Sequence, residues 1–314
     1  MRLPGAAAGL GLAFAVLVWP AVLLERGGTS EAADQAAVHL PVIRQMERAW
    51  PEVDLAHYGS ATGPGYHLAL ATVARFGSGD VRVLRIAGSL FALLLLLAAW
   101  RTAARLAGDA RAALLTLPLL TSAYFLGSAI WLTTDDAALA FAVLAAGGAL
   151  TVAPSPGRVA RWGLWSACAV LVRQIHAWTL APLVLAARPL LRGRTAPGAA
   201  AAVLAPVVVL GSFVFRWGGL VQLQFADFHA GANPAGLLLA LALCGAYGPF
   251  FLPAAGVSRR EAFRPDRAAL VAAAVVLGLG TALPSSYDMD AGRWAGPVWR
   301  VLGRTLVVAE RSVP

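Results

Sequence analysis

Long apolar runs recur along this chain, and they constrain its fold more than any other feature of the sequence. A helix needs about 20 mostly apolar residues to cross a bilayer. Only 13% of the residues are charged, against about 25% in soluble domains, so a soluble fold could not hide this much apolar surface. We therefore predict an all-α protein, a polytopic transmembrane helical bundle of about nine spans: 5–24, 84–100, 111–130, 135–152, 160–175, 177–190, 198–215, 234–253 and 268–284.

A polar segment separates the first two of these runs. Residues 25–83 are rich in acidic side chains, and the apolar stretch within them, 64–74, is too short to cross a bilayer. We interpret 25–83 as a long first extracytoplasmic loop with interfacial helices, within a single transmembrane domain that covers 1–314. No small-x-small cleavage site follows the run 5–24, which favours an uncleaved first span over a signal peptide.

The arginines set the predicted topology. All 25 basic residues are arginine, and they stand in small groups between the apolar runs, which is typical of topology signals and argues against a nucleic-acid partner. With the N-terminus inside, 13 of the 25 arginines but only three of the 16 acidic residues fall on the inner side. Merging 160–175 with 177–190 would invert this pattern downstream, so we predict two spans there. The chain is expected to be a multi-pass protein of the cell membrane with a polar site on its extracytoplasmic side.

The first two groups of candidate site residues lie in the long outer loop. Asp34 and His39 follow the first span, and on a helix both could line one pocket without touching; a solvated loop helix is the alternative. Farther along, Tyr58, Thr62 and His67 cluster around the turn Gly63–Pro64–Gly65. Aromatic residues at a membrane boundary are often interfacial anchors, so Tyr58 alone indicates little.

Two further groups lie at the outer ends of predicted spans. Thr134, Asp135 and Asp136 begin the span 135–152, where one carboxylate would suffice to cap the helix and the other would be left for a ligand. Arg173, Gln174 and His176 interrupt a long apolar stretch. Ionisable groups at membrane depth are costly and mark functional sites. Arg173 could form a structural ion pair with Asp135 or Asp136, or its planar guanidinium could bind a phosphate.

These parts suit an enzyme that uses a membrane-anchored phosphate donor, since such an enzyme needs a base for an acceptor hydroxyl and a cation for the departing phosphate. Gly-rich phosphate loops, HExxH and GxSxG are absent from the sequence. Cys168 and Cys244 stand in apolar runs without CxxC spacing. We therefore expect no metal and no disulfide.

Several motifs resemble those of the GT-C membrane glycosyltransferases, most of all the dolichyl-phosphoglucose-dependent α-1,2-glucosyltransferase family and its bacterial relatives. They match in order and spacing over most of the chain: the acidic segment with HLP at 39–41, DLAHYGSATGPGYH at 54–67, TTDD at 133–136, RQ at 173–174 and YDMDAGRWAGPVW at 287–299.

The resemblance implies a GT-C-like fold and transfer of a sugar from a polyprenyl-phosphate donor to a hydroxyl of a glycan or lipid-linked acceptor. It implies Asp34 as the base and requires no metal or other cofactor. Arg173, with His67 or His176, would contact the donor phosphate, and Asp135 and Asp136 would orient the substrates.

Two differences from that family lead to an alternative. Related sequences carry Asp-Glu where this chain has Asp34–Gln35, and they continue with more spans after the late motif, so we expect a truncated C-terminus. A catalytically inactive relative is therefore one alternative. A transporter or lipid flippase is another, although internal repeats, which such proteins often contain, are absent from the sequence.

Overall fold

The computed structural model describes residues 5–24 and 29–225, and all of these residues fall within one compact unit, Met1–His229. This part of the chain is all-helical and contains no strand. Its α-helices are α1 Gly5–Leu24, α2 Ser30–Asp34, α3 Leu40–Ala49, α4 Gly65–Phe76, α5 Val81–Ala107, α6 Asp109–Thr121, α7 Ala123–Ile130, α8 Asp135–Thr151, α9 Pro156–Val172, α10 Leu180–Ala187 and α11 Ala196–Trp217. A π-helical segment, Gln35–His39, joins α2 to α3, and 3₁₀ segments cover Gln174–Thr179, Arg188–Leu190 and Gly193–Thr195.

Three helical stretches in the described residues are long and apolar enough to cross a membrane: Gly5–Leu24, Val81–Ala107 and Gly193–Trp217. The pair formed by α6 and α7 would be a fourth, although it bends by 69° at its break. The chain therefore has the helices of a membrane protein. The predicted spans 234–253 and 268–284 lie outside the described residues, and the count of about nine remains a prediction.

The structure differs from the predicted spans at several places. Helices α8 and α9, at the predicted spans 135–152 and 160–175, have 17 residues each and are not among the candidate spans. The run 111–130 is not one straight helix: α6 ends at Thr121, and the Ser122 hydroxyl accepts a hydrogen bond from Phe125 N at 3.4 Å and so begins α7. The run 177–190 contains an α-helix of only eight residues, α10, between 3₁₀ segments. The predicted separation from 160–175 is present, because α9 ends at Val172 and Arg173 has an extended backbone.

The long helices pack through small residues. Helix α5 contacts α1, α6, α7 and α8, and α9 lies between α8 and α11. Four alanines of α8 have no exposed surface, which lets neighbouring backbones approach closely: Ala137, Ala138, Ala140 and Ala142. Larger side chains fill the space on the other side of α5, where Phe14 of α1 meets Phe125 of α7 edge to face with ring centroids 6.1 Å apart.

The two ends of this bundle differ in charge. At one end, Arg105 of α5 donates to the Thr151 hydroxyl at the end of α8, and its charge interacts with those of Arg101 and Arg158. At the other end α8 begins with Asp135 and Asp136, and α9 ends beside them. The helices therefore run alternately between an arginine-rich end and an end that carries carboxylates, which we call the acidic end.

Adding a methyl group at Gly163 should destabilise the packing of α9 on α11. A Cβ atom there would overlap the backbone carbonyl of Ala202, and overpacking of this kind costs about 1–3 kcal/mol. We expect Gly163→Ala to lower the melting temperature of the purified protein in detergent. Gly211→Ala in α11 is the matched control, since nothing lies within 4 Å of the added atom. Equal melting temperatures for the two variants would contradict this packing.

Candidate functional site

An ion pair between Arg173 and Asp135 lies at the acidic end. Because α9 stops at Val172, the extended backbone of Arg173 directs its guanidinium away from the helix axis, and NH1 donates to Asp135 Oδ1. Both side chains are partly exposed, at 33% and 55%. The predicted ion pair is therefore confirmed with Asp135 as the partner. Its exposure leaves the guanidinium accessible to an anion.

The turn at Gly63 holds the outer loop against this break in α9. The Gly63 N–H donates to the Val172 carbonyl at 2.9 Å. A Cβ at Gly63 would overlap the Leu171 carbonyl, so only glycine fits this close approach. The turn thereby brings the beginning of α4 next to Arg173.

Gln35 joins three parts of the acidic end from a buried position. Its side chain is 5% exposed, and Oε1 accepts hydrogen bonds from Arg85 Nε at 2.9 Å and from the Leu132 N–H at 3.1 Å. The Arg85 guanidinium also lies 4.3 Å from the ring centroid of Trp131. Gln35 is thus a structural residue in this chain, with its carbonyl oxygen fully used.

The π-helical segment Gln35–His39 places Asp34 and His39 differently. His39 is 8% exposed, and its Nδ1 lies 2.9 Å from His67 Nε2. Asp34 is exposed at the preceding helix end, and its pKa is raised by partial burial and by the negative charges of Glu31 and Asp135. π-Helical turns are rare and occur often at functional sites.

Electrostatic coupling joins the site residues. Burial lowers the pKa of His39 to about 4; the negative charge of Asp135 acts against this shift, and the positive charge of Arg173 adds to it. Asp135 also acts on Asp34. Asp34, His39, Asp135 and Arg173 therefore interact electrostatically, and His39 is neutral at pH 7.

Two predicted site residues are enclosed. His67 has no exposed surface, and both of its ring nitrogens have partners, Tyr58 and His39. It is therefore enclosed in this structure, and its contact with a donor phosphate stays a prediction. Thr134 is only 1% exposed.

Asp136 is also buried, at 5% exposed, and its Oδ2 makes no hydrogen bond to any of the residues that the structure describes. The N-cap residue Thr134 makes no side-chain cap, and Asp135 pairs with Arg173.

The remaining predicted residues line the periphery. Thr62 shares a hydrogen bond of 3.1 Å with Ser60 beneath Tyr58. Gln174 donates to the Leu220 carbonyl at 2.9 Å, and His176 accepts from Trp178 Nε1 at 3.3 Å. Gln174 thereby connects the 3₁₀ segment after Arg173 to the residues that follow α11.

Sequence reasoning missed two residues that hold the outer loop in place. Trp217, at the end of α11, donates from Nε1 to the Leu55 carbonyl at 2.8 Å and stacks on Tyr58 with ring centroids 6.0 Å apart. From the sequence, Gln35 is recognisable only as a difference from the Asp-Glu pair of related sequences. A buried amide beside an arginine from another helix has no sequence signature, since the two lie 50 residues apart.

Within the described residues there is no group of three or more His, Cys, Asp or Glu side chains that could hold a metal ion. Comparisons of the chain with protein-family models, with curated proteins and with solved structures find no match. The geometry of the acidic end is therefore the basis of the functional argument.

Replacing Gln35 tests its structural role. Gln35→Ala leaves the buried Leu132 N–H without its acceptor, which costs about 1–3 kcal/mol, so we expect a lower melting temperature. Gln35→Glu keeps an acceptor at the same place and should melt closer to the unchanged protein. Gln45→Ala is the control, because Gln45 is exposed. A melting temperature unchanged in Gln35→Ala would rule out the role.

The protonation of His39 gives a pH-dependent test. Its pKa in the folded chain is about 4, against 6.5 when unperturbed, so its ring should remain neutral at pH 5.5 by ¹⁵N NMR. The unfolded chain takes up the proton first, so the contribution of His39 to the free energy of unfolding falls as the pH decreases from 6.5 to 4 and is constant above that range. A His39 ring that protonates near pH 6.5 would contradict the burial.

Proposed function

We propose that this chain is a multi-pass membrane glycosyltransferase of the GT-C type, which transfers a sugar from a polyprenyl-phosphate donor to an acceptor hydroxyl on the extracytoplasmic face. The observation that carries the proposal is the grouping of Arg173, Asp135, Asp34 and His39 at one end of an apolar bundle. A cation, a carboxylate base and a neutral hydrogen-bond acceptor are the groups that this transfer needs.

The concentration of arginine at one end of the bundle supports the orientation. Arg101, Arg105 and Arg158 lie together at the arginine-rich end, and short cytoplasmic loops of membrane proteins carry an excess of arginine and lysine. The acidic end is then extracytoplasmic. A lipid-linked donor would reach it from the outer leaflet.

Arg173 is the proposed phosphate-binding residue. Its guanidinium is 33% exposed and is neutralised by Asp135 when no anion is bound. A phosphate would offer several oxygens to the planar guanidinium, whereas the present pair uses one carboxylate oxygen. Binding of the donor would therefore add hydrogen bonds to the guanidinium.

Asp34 is the proposed general base. The acceptor oxygen attacks the anomeric carbon, its proton passes to the Asp34 carboxylate, and the bond from the anomeric carbon to the phosphate oxygen breaks. Polyprenyl phosphate leaves with the bonding electron pair beside Arg173. The raised pKa of Asp34 strengthens its carboxylate as a base.

Removing the base should abolish transfer. A general base contributes about 10²- to 10⁴-fold to a rate, so we expect Asp34→Asn to lose at least that factor while it still inserts into membranes. Transfer is measured with purified protein, radiolabelled polyprenyl-phosphate sugars and candidate acceptors. Asp54→Asn, which changes an exposed acid in the same loop, should remain active. Full activity of Asp34→Asn would refute its assignment as the base.

Removing the phosphate ligand should act mainly on the donor. Charge-assisted hydrogen bonds contribute about 1.5–3 kcal/mol, so we expect Arg173→Ala to raise the KM for the donor about 10- to 100-fold. Arg173→Lys keeps the charge but not the planar guanidinium. Its KM for the donor should lie between those of the unchanged protein and Arg173→Ala. Arg75→Ala is the control at an exposed arginine. Unchanged donor kinetics in Arg173→Ala would contradict the role.

The buried Asp136 favours transport as a second candidate function. Carboxylates within helical membrane bundles mark ion and substrate pathways, and Oδ2 of Asp136 has no hydrogen-bond partner in the described part of the chain. A transporter or flippase would move the lipid-linked phosphate across reconstituted vesicles without transferring its sugar. Sugar transfer without movement of the lipid would exclude this alternative.

A further inference from the structure

Three side chains at the acidic end form a continuous chain of hydrogen bonds. The Tyr58 hydroxyl oxygen lies 3.0 Å from the Gly63 carbonyl oxygen and 2.5 Å from His67 Nδ1. His67 Nε2 lies 2.9 Å from His39 Nδ1, and the two rings stack with an interplanar angle of 22°. Tyr58 and His67 are 2% and 0% exposed, so no water competes for these bonds.

The Gly63 carbonyl determines which group donates in each of these hydrogen bonds. A carbonyl oxygen can only accept, and the Tyr58 hydroxyl is the donor that it meets. Tyrosine has a single hydroxyl proton, and burial raises its pKa, so it keeps that proton at all ordinary pH values. If the proton were given to His67 instead, the carbonyl of the buried Gly63 would lose its donor, at a cost of about 1–3 kcal/mol.

The remaining protons follow from that first bond. Because the Tyr58 O–H donates to the Gly63 carbonyl, the Tyr58 oxygen accepts a hydrogen bond from His67. The proton of the neutral His67 ring is therefore on Nδ1. His67 Nε2 is then an acceptor, and it requires a donor at His39 Nδ1. The neutral His39 ring therefore carries its proton on Nδ1 and a lone pair on Nε2. His39 Nε2 makes no hydrogen bond to any residue that the structure describes.

We propose that Tyr58 and His67 are positioning residues that fix His39 as its Nδ1–H tautomer, so that His39 Nε2 accepts a hydrogen bond from a ligand hydroxyl. In the proposed transferase, on which this part rests, that hydroxyl belongs to the acceptor sugar or lipid. His39 retains 8% of its surface exposed, and the charges of Asp135 and Arg173 act on its ring. The lowered pKa of His39 keeps the lone pair unprotonated at neutral pH.

The tautomers are measured directly by NMR. Full-length protein labelled with ¹⁵N-histidine in nanodiscs contains five histidines, and single His→Gln variants assign their signals. We expect the protonated nitrogen to be Nδ1 in both His39 and His67 at pH 7. A His39 ring protonated on Nε2 would show that the hydrogen bonds have the opposite donors and acceptors, and would overturn the proposal. This measurement needs no substrate, so it is independent of whether the protein transfers a sugar.

A matched pair of tyrosine variants tests the positioning role. Tyr58→Phe removes the acceptor of His67 Nδ1–H and should let the proton move to Nε2 in His67 and, through it, in His39. Tyr66→Phe is the control, because its ring also packs on His67, with centroids 5.7 Å apart, but its hydroxyl makes no bond to that ring. Tautomers that change equally in both variants would contradict a specific role of the Tyr58 hydroxyl.

A kinetic comparison tests the ligand contact separately. If the protein transfers a sugar, Tyr58→Phe should raise the KM for the acceptor about 10-fold with little change in the KM for the donor, and Tyr66→Phe should change neither. An unaltered acceptor KM in Tyr58→Phe, together with altered tautomers, would overturn the contact of His39 Nε2 with the acceptor. Absence of transfer in the unchanged protein would instead count against the proposed function, whereas the tautomers are decided by NMR alone.

Discussion

The contact between the end of α9 and the start of α8 organises the whole acidic end. An arginine in an apolar helix bundle needs a counter-charge or water, because an unpaired buried cation is costly. Ending α9 at Val172 lets Arg173 reach Asp135 while both remain partly exposed. The pair itself adds little stability at that exposure. Its main effect is on the position of the outer loop, because the Val172 carbonyl at the end of α9 accepts a hydrogen bond from the Gly63 N–H.

From that contact the polar network extends inward in one direction. The Gly63 carbonyl accepts from Tyr58, Tyr58 accepts from His67, and His67 accepts from His39. The carbonyl at the outer-loop turn thereby fixes the tautomer of His39. Polar networks in a low-dielectric interior are favourable only when every member has its partner. The enclosed members satisfy this condition, and His39 Nε2 is the acceptor that stays available.

Much of this arrangement was predictable from the free-energy cost of placing charges within apolar segments. Arg173 and Asp135 were identified because charges within apolar runs must pair or bind a ligand, and the structure shows the pairing. The separation of 160–175 from 177–190 followed from arginine placement and is present as the break at Arg173. The long apolar helices α1, α5 and α11 likewise follow from hydropathy.

The rest depended on contacts between distant parts of the chain. The bend between α6 and α7 arises where Ser122 caps a new helix, and a single serine in an apolar run does not predict a bend. The structural role of Gln35 depends on Arg85 and Leu132, which belong to other elements. The burial of His67 depends on close approach at Gly63, whose need for glycine appears only when Leu171 is in place.

We propose that a polar site faces the extracytoplasmic side while the arginine-rich end faces the cytoplasm. Single cysteines at two exposed positions, Glu52→Cys in the outer loop and Ala110→Cys beside Arg111, test it in a background where Cys168 and Cys244 are serine. In intact cells a membrane-impermeant thiol reagent should label the cysteine at position 52, and the one at position 110 only after permeabilisation. Labelling of position 110 but not 52 in intact cells would invert the topology and contradict the account.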